Sequence, residues 1–289
     1  MEQPRDSPLV ETDWLAARLD DPALRIVDIR GIIKPPEAPK PWYLPQLDAY
    51  REGHIPGAVF VDWTEDIVEP TAPAHMTLAG PERFKALMER LGIGDSHTVV
   101  IYDDTGAIAP RLWWALNYYG HPQVRVLNGG WTKWVAEDRR PVTSEIPSHP
   151  RVVFTPRVRP EWRVTATEAR ERMNDPRIIL VDCRSPKEFT GEIARGERKG
   201  RIPGSVNVPV ARFLDAETKT WKGPAEIRKM FEAAGVVPDR RVVTYCNAGV
   251  SASVGLLALK LVGYDNSANF AGSWYEWEAD PRNPVQTGR

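Results

Sequence analysis

Only two cysteines, Cys183 and Cys246, occur in this chain of 289 residues. The second stands where a thiol can react. Arg241-Val242-Val243-Thr244-Tyr245 is a β-branched apolar run that ends at Cys246. Asn247-Ala248-Gly249-Val250 follows, and Ser251-Ala252-Ser253 leads into an apolar stretch, 254–262, that reads as a helix stopped by Gly263. A thiol at the C-terminal end of a buried strand faces a tight turn and a helix N-terminus, the end of an open α/β sheet at which ligands bind. Unpaired amides of such a loop stabilise a thiolate and, afterwards, an anionic persulfide. Gly249 lets the backbone turn where a side chain would intrude.

A cysteine after a strand is more often an inert core residue. The chain carries its own control, because residues 80–134 match residues 223–277 without a gap at a constant offset of 143. Fifteen of the 55 positions are identical, against about 3 or 4 by chance, which marks a duplication. The matches include Gly80/Gly223, Tyr102/Tyr245, Gly106/Gly249, Gly129/Gly272, Trp131/Trp274 and Trp134/Trp277. Upstream, Ile26-Val27-Asp28-Ile29-Arg30 answers Leu180-Val181-Asp182-Cys183-Arg184, and Gly53-His54-Ile55-Pro56-Gly57-Ala58 answers Gly200-Arg201-Ile202-Pro203-Gly204-Ser205. Asp103 stands opposite Cys246. A carboxylate is a poor equivalent of a plain core residue. A pocket that is active in one copy and silent in the other explains the pair better.

Short apolar runs at 25–29, 98–102, 178–181 and 242–245 predict buried strands, and 82–91, with Phe84, Leu87, Met88 and Leu91 on one face, predicts a helix stopped by Gly92. Thr165-Ala166-Thr167-Glu168 has the spacing of a capping box. Alternating strand and helix signals imply α/β domains with mostly parallel sheets flanked by helices. The expected division is 9–137 and 163–280. Between them, 138–162 is an extended, proline-rich tether containing Pro141, Pro147, Pro150, Pro156 and Pro160.

Taken together, these landmarks resemble the tandem-domain rhodanese family of thiosulfate and 3-mercaptopyruvate sulfurtransferases. The resemblance rests on Val-Asp-x-Arg in each half, on residues 53–58 and their degenerate twin, on Tyr-Cys-x-x-Gly-Val-Ser at 245–251, and on Gly272-Ser273-Trp274-x-x-Trp277. It implies two rhodanese-like domains, the first catalytically silent. It implies a ping-pong reaction in which Cys246 takes sulfur from a donor, becomes a persulfide, and yields that sulfur to cyanide or a thiol. No cofactor or metal is implied. Arg184 matches the arginine that holds the donor's anionic end, a task suited to a guanidinium fork. Its twin Arg30 reads as structural. Asn247, Ala248, Gly249, Val250 and Ser251 would line the donor site. His54 stands where mercaptopyruvate enzymes link a histidine to a loop serine, but Ala248 occupies that serine's place, so an interdomain contribution from His54 is the weaker of its two readings and a turn histidine the stronger. The loop carries no cation, unlike thiosulfate-preferring relatives, but the mercaptopyruvate serine is missing too, and the resemblance leans only slightly to thiosulfate.

Cys183 reads as a small buried hydrophobe, with a redox partnership at the cleft as its second reading. Most of the eleven tryptophans read as core and turn positions, with Trp42 a candidate to line the cleft. The basic segment 195–201 reads as a solvated loop. Lys and Arg total 38 and Asp and Glu 39, a net charge of −1, with no global pull toward nucleic acid or membrane. The opening residues lack a signal-peptide pattern, no apolar run of spanning length occurs, and two cysteines do not make a disulfide scaffold; a reducing cytoplasm is the expected location, with a thioredoxin-like reductant a possible partner. Two other classes compete. A phosphatase on the same fold needs Cys-x5-Arg, but the sixth residue after Cys246 is Ala252 and no arginine follows through Leu259. A non-catalytic binding module with a vestigial cysteine would transfer no sulfur.

Overall fold

The computed structural model describes residues 7–72, 74–138 and 140–288. The duplication appears in it as two five-stranded, all-parallel sheets of identical strand order. In the first sheet, Leu9–Val10, Val124–Leu127, Thr98–Tyr102, Leu24–Asp28 and Ala58–Phe60 lie side by side in that order. In the second, Arg163–Val164, Ser267–Phe270, Arg241–Tyr245, Ile178–Asp182 and Val206–Asn207 repeat it. The central strands are buried on both faces, which is why they read as unbroken apolar runs.

Each sheet turns one face to a core of its own, where Trp134 in the first half and Trp274 and Trp277 in the second are fully buried. The other faces share a single core that crosses the domain boundary. At its centre the helix Ala109–Tyr118 packs against the helix Val250–Leu261. Both are apolar nearly all round, as a helix enclosed by protein must be. These two helices follow the two equivalent loops, so the interface holds the Asp103 loop and the Cys246 loop on either side of one packed seam.

The predicted strands form, each within a residue of its expected bounds. The predicted helix runs Pro81–Arg90, and the capping box is complete, with Thr165 and Glu168 satisfying each other's backbone N–H groups. The stretch 138–162 is extended except for a 3-10 turn at Pro160–Trp162, but it is no free tether. Its amides and carbonyls pair with the first domain: His54 with Thr143 in both directions, Asp95 N–H to Val153 O, and Arg157 N–H to Tyr119 O. An antiparallel hairpin, Gly31–Ile33 with Tyr43–Pro45, has no counterpart in the second half. It projects Ile33 and Tyr43 over the second domain's loop.

Candidate active site

Tyr245 ends the strand Arg241–Tyr245, and Cys246 is the first residue beyond it, 2% exposed. The chain turns through Asn247 and Ala248 to Gly249, whose φ of +76° caps the following helix. A side chain at 249 would meet Ala271 O at 2.3 Å and Arg111 Nη1 at 2.7 Å. Glycine is therefore required both by the left-handed backbone and by close approach. The Cys246 thiol faces a cavity of about 260 Å³ lined by both domains: Ile33 and Tyr43 from the hairpin, and Cys183, Arg184, Glu188, Arg195, Asn247, Ala248, Val250 and Ser251 from the second half.

The equivalent loop of the first half holds a side chain in the same place. Asp103 Oδ1 accepts from Thr105 N–H at 2.9 Å and from Gly106 N–H, and Oδ2 accepts from Ile108 N–H at 2.5 Å and Ala109 N–H at 2.6 Å. One buried carboxylate thus occupies a cradle of four backbone amides. Burial still pushes its pKa up, against the pull of those amides. At the repeat's offset the corresponding amides belong to Ala248, Gly249, Ser251 and Ala252. The two loops share their frame: Gly106 has φ +73°, and Trp131 N–H reaches Asp103 O at 2.8 Å as Trp274 N–H reaches Cys246 O at 3.0 Å.

Three residues at this loop have no role that their sequence context assigns. Ser273 holds φ +52° without being glycine. Its hydroxyl accepts from Cys246 N–H at 3.0 Å, donates to Phe270 O at 2.8 Å, and lies 3.9 Å from Cys246 Sγ. Its twin is Gly130, also left-handed, so the pair Gly130/Ser273 in the repeat was the available signal. Arg111 comes from the first domain. Fully buried, it donates from Nη1 to Gly249 O at 3.3 Å and from Nη2 to Met76 O at 3.0 Å, and lies over the Trp114 ring. Burial pushes this guanidinium down to about 10, against the opposing pull of the nearby Cys246 charge. Glu188 accepts from Asn247 Nδ2 at 2.8 Å while its other oxygen closes a capping box with Ser185.

Arg184 lies on the cavity wall, but its Nε and Nη2 are engaged by Asp182 and by Gly200 O at 2.7 Å. Burial acts to lower its pKa, and the Asp182 carboxylate outweighs that and holds it above the ordinary value. Arg30 repeats the arrangement with Asp28 and Gly53 O. Arg195, in the segment read as solvated, is half-buried at the cleft instead. Its Nη2 donates to Lys34 O, its guanidinium lies over Trp42 and Tyr43, and its buried Nη1 has no hydrogen-bond partner among the described residues. Trp42 serves as a platform for Arg195 and does not line the cavity wall.

His54 is not at this site. It is fully buried beneath the linker, with Nδ1 2.8 Å from Tyr50 O, Nε2 3.1 Å from Glu145 O and its ring stacked on Tyr50. The returning chain at 143–145 covers it, which corrects the expectation of an interdomain contribution. Tyr43 and Tyr275 close the rim, their hydroxyls 3.3 Å apart across the domain boundary. Burial pushes both phenols up.

The Rhodanese-like domain family model matches residues 11–137 and 165–280. The chain belongs to this family, in two tandem copies. It is 35% identical to the sulfur carrier protein TtuD of Thermus thermophilus over 93% of both chains. It is 36% identical to rat thiosulfate sulfurtransferase over 97% of this chain and 96% of that one, and 32% identical to Escherichia coli K12 3-mercaptopyruvate sulfurtransferase over 96% and 97%. Among solved structures, Escherichia coli SseA superposes with a TM-score of 0.80 at 31% identity, covering 93% of this chain and 99% of that one. The anaerobic ergothioneine biosynthesis enzyme of Chlorobium limicola superposes with a TM-score of 0.85 at 26% identity, covering all of this chain and 72% of that one. The curated relatives named here are sulfurtransferases and a sulfur carrier. No helix among the described residues is long and apolar enough to cross a membrane.

Proposed function

We propose that Cys246 carries sulfur as a persulfide between an anionic donor and a thiophilic acceptor, with the chemistry confined to 163–280 and the domain 9–137 silent. One observation carries this reading: at the place equivalent to Cys246, the loop of the first half already holds the two acceptor oxygens of Asp103 on four backbone amides. The same cradle around sulfur favours a thiolate before transfer and a persulfide after it. A structural relative, EanB, is known as a cysteine persulfide in a tetrahedral intermediate state with ergothioneine, which supports persulfide chemistry on this fold.

With thiosulfate, the Cys246 thiolate attacks the outer sulfur, the S–S bond breaks, and sulfite leaves. Cyanide or a thiolate then attacks the outer persulfide sulfur and regenerates Cys246. The donor's anionic end goes to Arg195, whose Nη1 is unpartnered among the described residues, beside Arg184, which lines the same cavity with Nε and Nη2 engaged by Asp182 and Gly200 O. Glu188 and Asn247 form the opposite wall, where a carboxylate repels a second anion. The loop residues Ala248, Gly249, Val250 and Ser251 present amides and a small apolar surface to the transferred sulfur. Both thiols are free, which suits a reducing cytoplasm and renewal by a thioredoxin-like reductant. Thiosulfate remains the slightly favoured donor, since Ala248 supplies no hydroxyl for a mercaptopyruvate relay.

The test is kcat/KM for thiosulfate and for 3-mercaptopyruvate, with cyanide as acceptor, in the wild type and in Cys246→Ser. The variant should transfer sulfur from neither donor while keeping its fold. Retained transfer would overturn the assignment.

A further inference from the structure

The second cysteine has no part in the transfer just described, yet the sheet places it beside the first. The strands Ile178–Asp182 and Arg241–Tyr245 are hydrogen-bonded neighbours, parallel and in register, with Val181 opposite Thr244 and Asp182 opposite Tyr245. Cys183 and Cys246 are the next residues of the two strands, and Cys183 N–H to Tyr245 O at 2.8 Å continues the ladder to that point. Neighbouring strands lie about 4.8 Å apart. A disulfide needs Cα atoms about 4.4–6.8 Å apart.

Side-chain direction agrees. Alternate residues of a strand share a face. Ile179, Val181 and Cys183 on one strand and Val242 and Cys246 on the other all face the interdomain core, whereas Leu180, Val243 and Tyr245 face the second domain's own core. Cys183 Sγ lies under Gly255 of the helix that follows the Cys246 loop, where an added methyl would approach it to 2.5 Å. Both cysteines line the same cavity. Burial pushes the Cys183 thiol well up, and the Cys246 charge adds to the effect, so Cys183 attacks only as its proton passes to a departing sulfur beside it.

We propose that Cys183 is a resolving thiol that discharges the Cys246 persulfide as sulfide when no acceptor arrives, leaving a Cys183–Cys246 disulfide. This step rests on the persulfide reading above. The Cys183 sulfur attacks Cys246 Sγ, and the S–S bond to the outer sulfur breaks. That sulfur departs with the bonding pair and takes the Cys183 proton, so a persulfide anion and a thiol yield a disulfide and hydrosulfide. Sulfane sulfur is reduced to sulfide as the two cysteine sulfurs are oxidised, and no external oxidant enters. A dithiol reductant of the thioredoxin class returns both thiols. The chain then has a second activity, reductant-dependent sulfide release, besides transfer to an acceptor.

The experiment loads full-length wild type, Cys183→Ser and Cys183→Ala with thiosulfate, removes the donor, and follows intact mass, released sulfide and the non-reduced peptide map over time. Wild type should gain the mass of one sulfur, then lose it with stoichiometric sulfide and a peptide pair joined through Cys183 and Cys246. Dithiothreitol should reverse the link. Both variants should gain the same one-sulfur adduct, which shows the site is folded, then keep it and release no sulfide. Equal adduct lifetimes in all three proteins, or adduct loss without the cross-linked pair, would overturn the resolving role and leave the persulfide reading standing. No adduct on any of them would overturn the persulfide reading and this step with it.

Discussion

Gly249→Ala isolates the physics that shapes the Cys246 loop, because the chain supplies a matched control. Gly249 and Gly263 bracket the helix Val250–Leu261 with nearly equal backbone angles, φ +76° and +77°. An alanine at either suffers the left-handed penalty of about 1–2 kcal/mol. Either also gains about 0.4–1 kcal/mol from a stiffer unfolded chain, which cancels between them. Only the surroundings differ. A methyl at 263 meets nothing within 4 Å, whereas at 249 it meets Ala271 O at 2.3 Å and Arg111 Nη1 at 2.7 Å. Relieving both contacts shifts a packed carbonyl and a buried guanidinium, an overpacking cost of about 1–3 kcal/mol. Gly249→Ala should therefore lose about 1–3 kcal/mol more than Gly263→Ala in urea denaturation. It should also slow sulfur transfer in folded protein, because the displaced loop carries the amides around Cys246. Gly263→Ala should transfer at the wild-type rate. Equal stability losses, or a Gly249→Ala enzyme of full activity, would refute the close-approach argument.

Arg184→Ala should destabilise the fold by about 3–5 kcal/mol by leaving buried Asp182 unpaired, while Arg195→Ala should raise KM for anionic donors with little change in urea midpoint; a reversed pattern would return the donor's anion to Arg184. Burial, with the Asp103 charge adding to it, pushes Asp104 up to about 6. The folded state therefore favours its protonated form, so stability is fully present below about pH 4, where a free carboxyl protonates, and is lost as pH rises through about 6. Asp104→Asn, which copies the twin Asn247, should gain about 1–3 kcal/mol at pH 7 and nothing below pH ~4, read from denaturation midpoints across that range. At Ser273, alanine keeps the φ +52° strain that glycine relieves, so Ser273→Ala should be about 1 kcal/mol less stable than Ser273→Gly, with both slow in transfer because Cys246 N–H loses its acceptor.

The repeat made most of this legible. Strand positions follow from apolar runs whose burial on both faces leaves no alternation to misread, and Asp103 opposite Cys246 is what singles out the proposed site in the sequence. What escaped depends on chain paths that local pattern does not determine. Arg195 sits on a loop whose charges look solvated in sequence; only the hairpin arching from the other domain gives its guanidinium Trp42, Tyr43 and the Lys34 carbonyl to rest on. His54 carries the right motif, but the linker returns antiparallel over it and places Glu145 O at Nε2, while Tyr50 O of the preceding helix faces Nδ1. The place of Arg184 after Val-Asp puts it on the cavity wall, and the same spacing lets it fold back on Asp182, as Arg30 does on Asp28. Ser273 and Arg111 act across long sequence separations, and Arg111 across the domain boundary, where no spacing rule reaches.

The most direct measurement is the intact mass of wild type and Cys246→Ser after brief exposure to thiosulfate without acceptor, followed by peptide mapping. A one-sulfur adduct confined to the Cys246 peptide, removed by cyanide and absent from the variant, is the result this account predicts. An adduct on the variant, or none on the wild type while it still transfers sulfur, would contradict it.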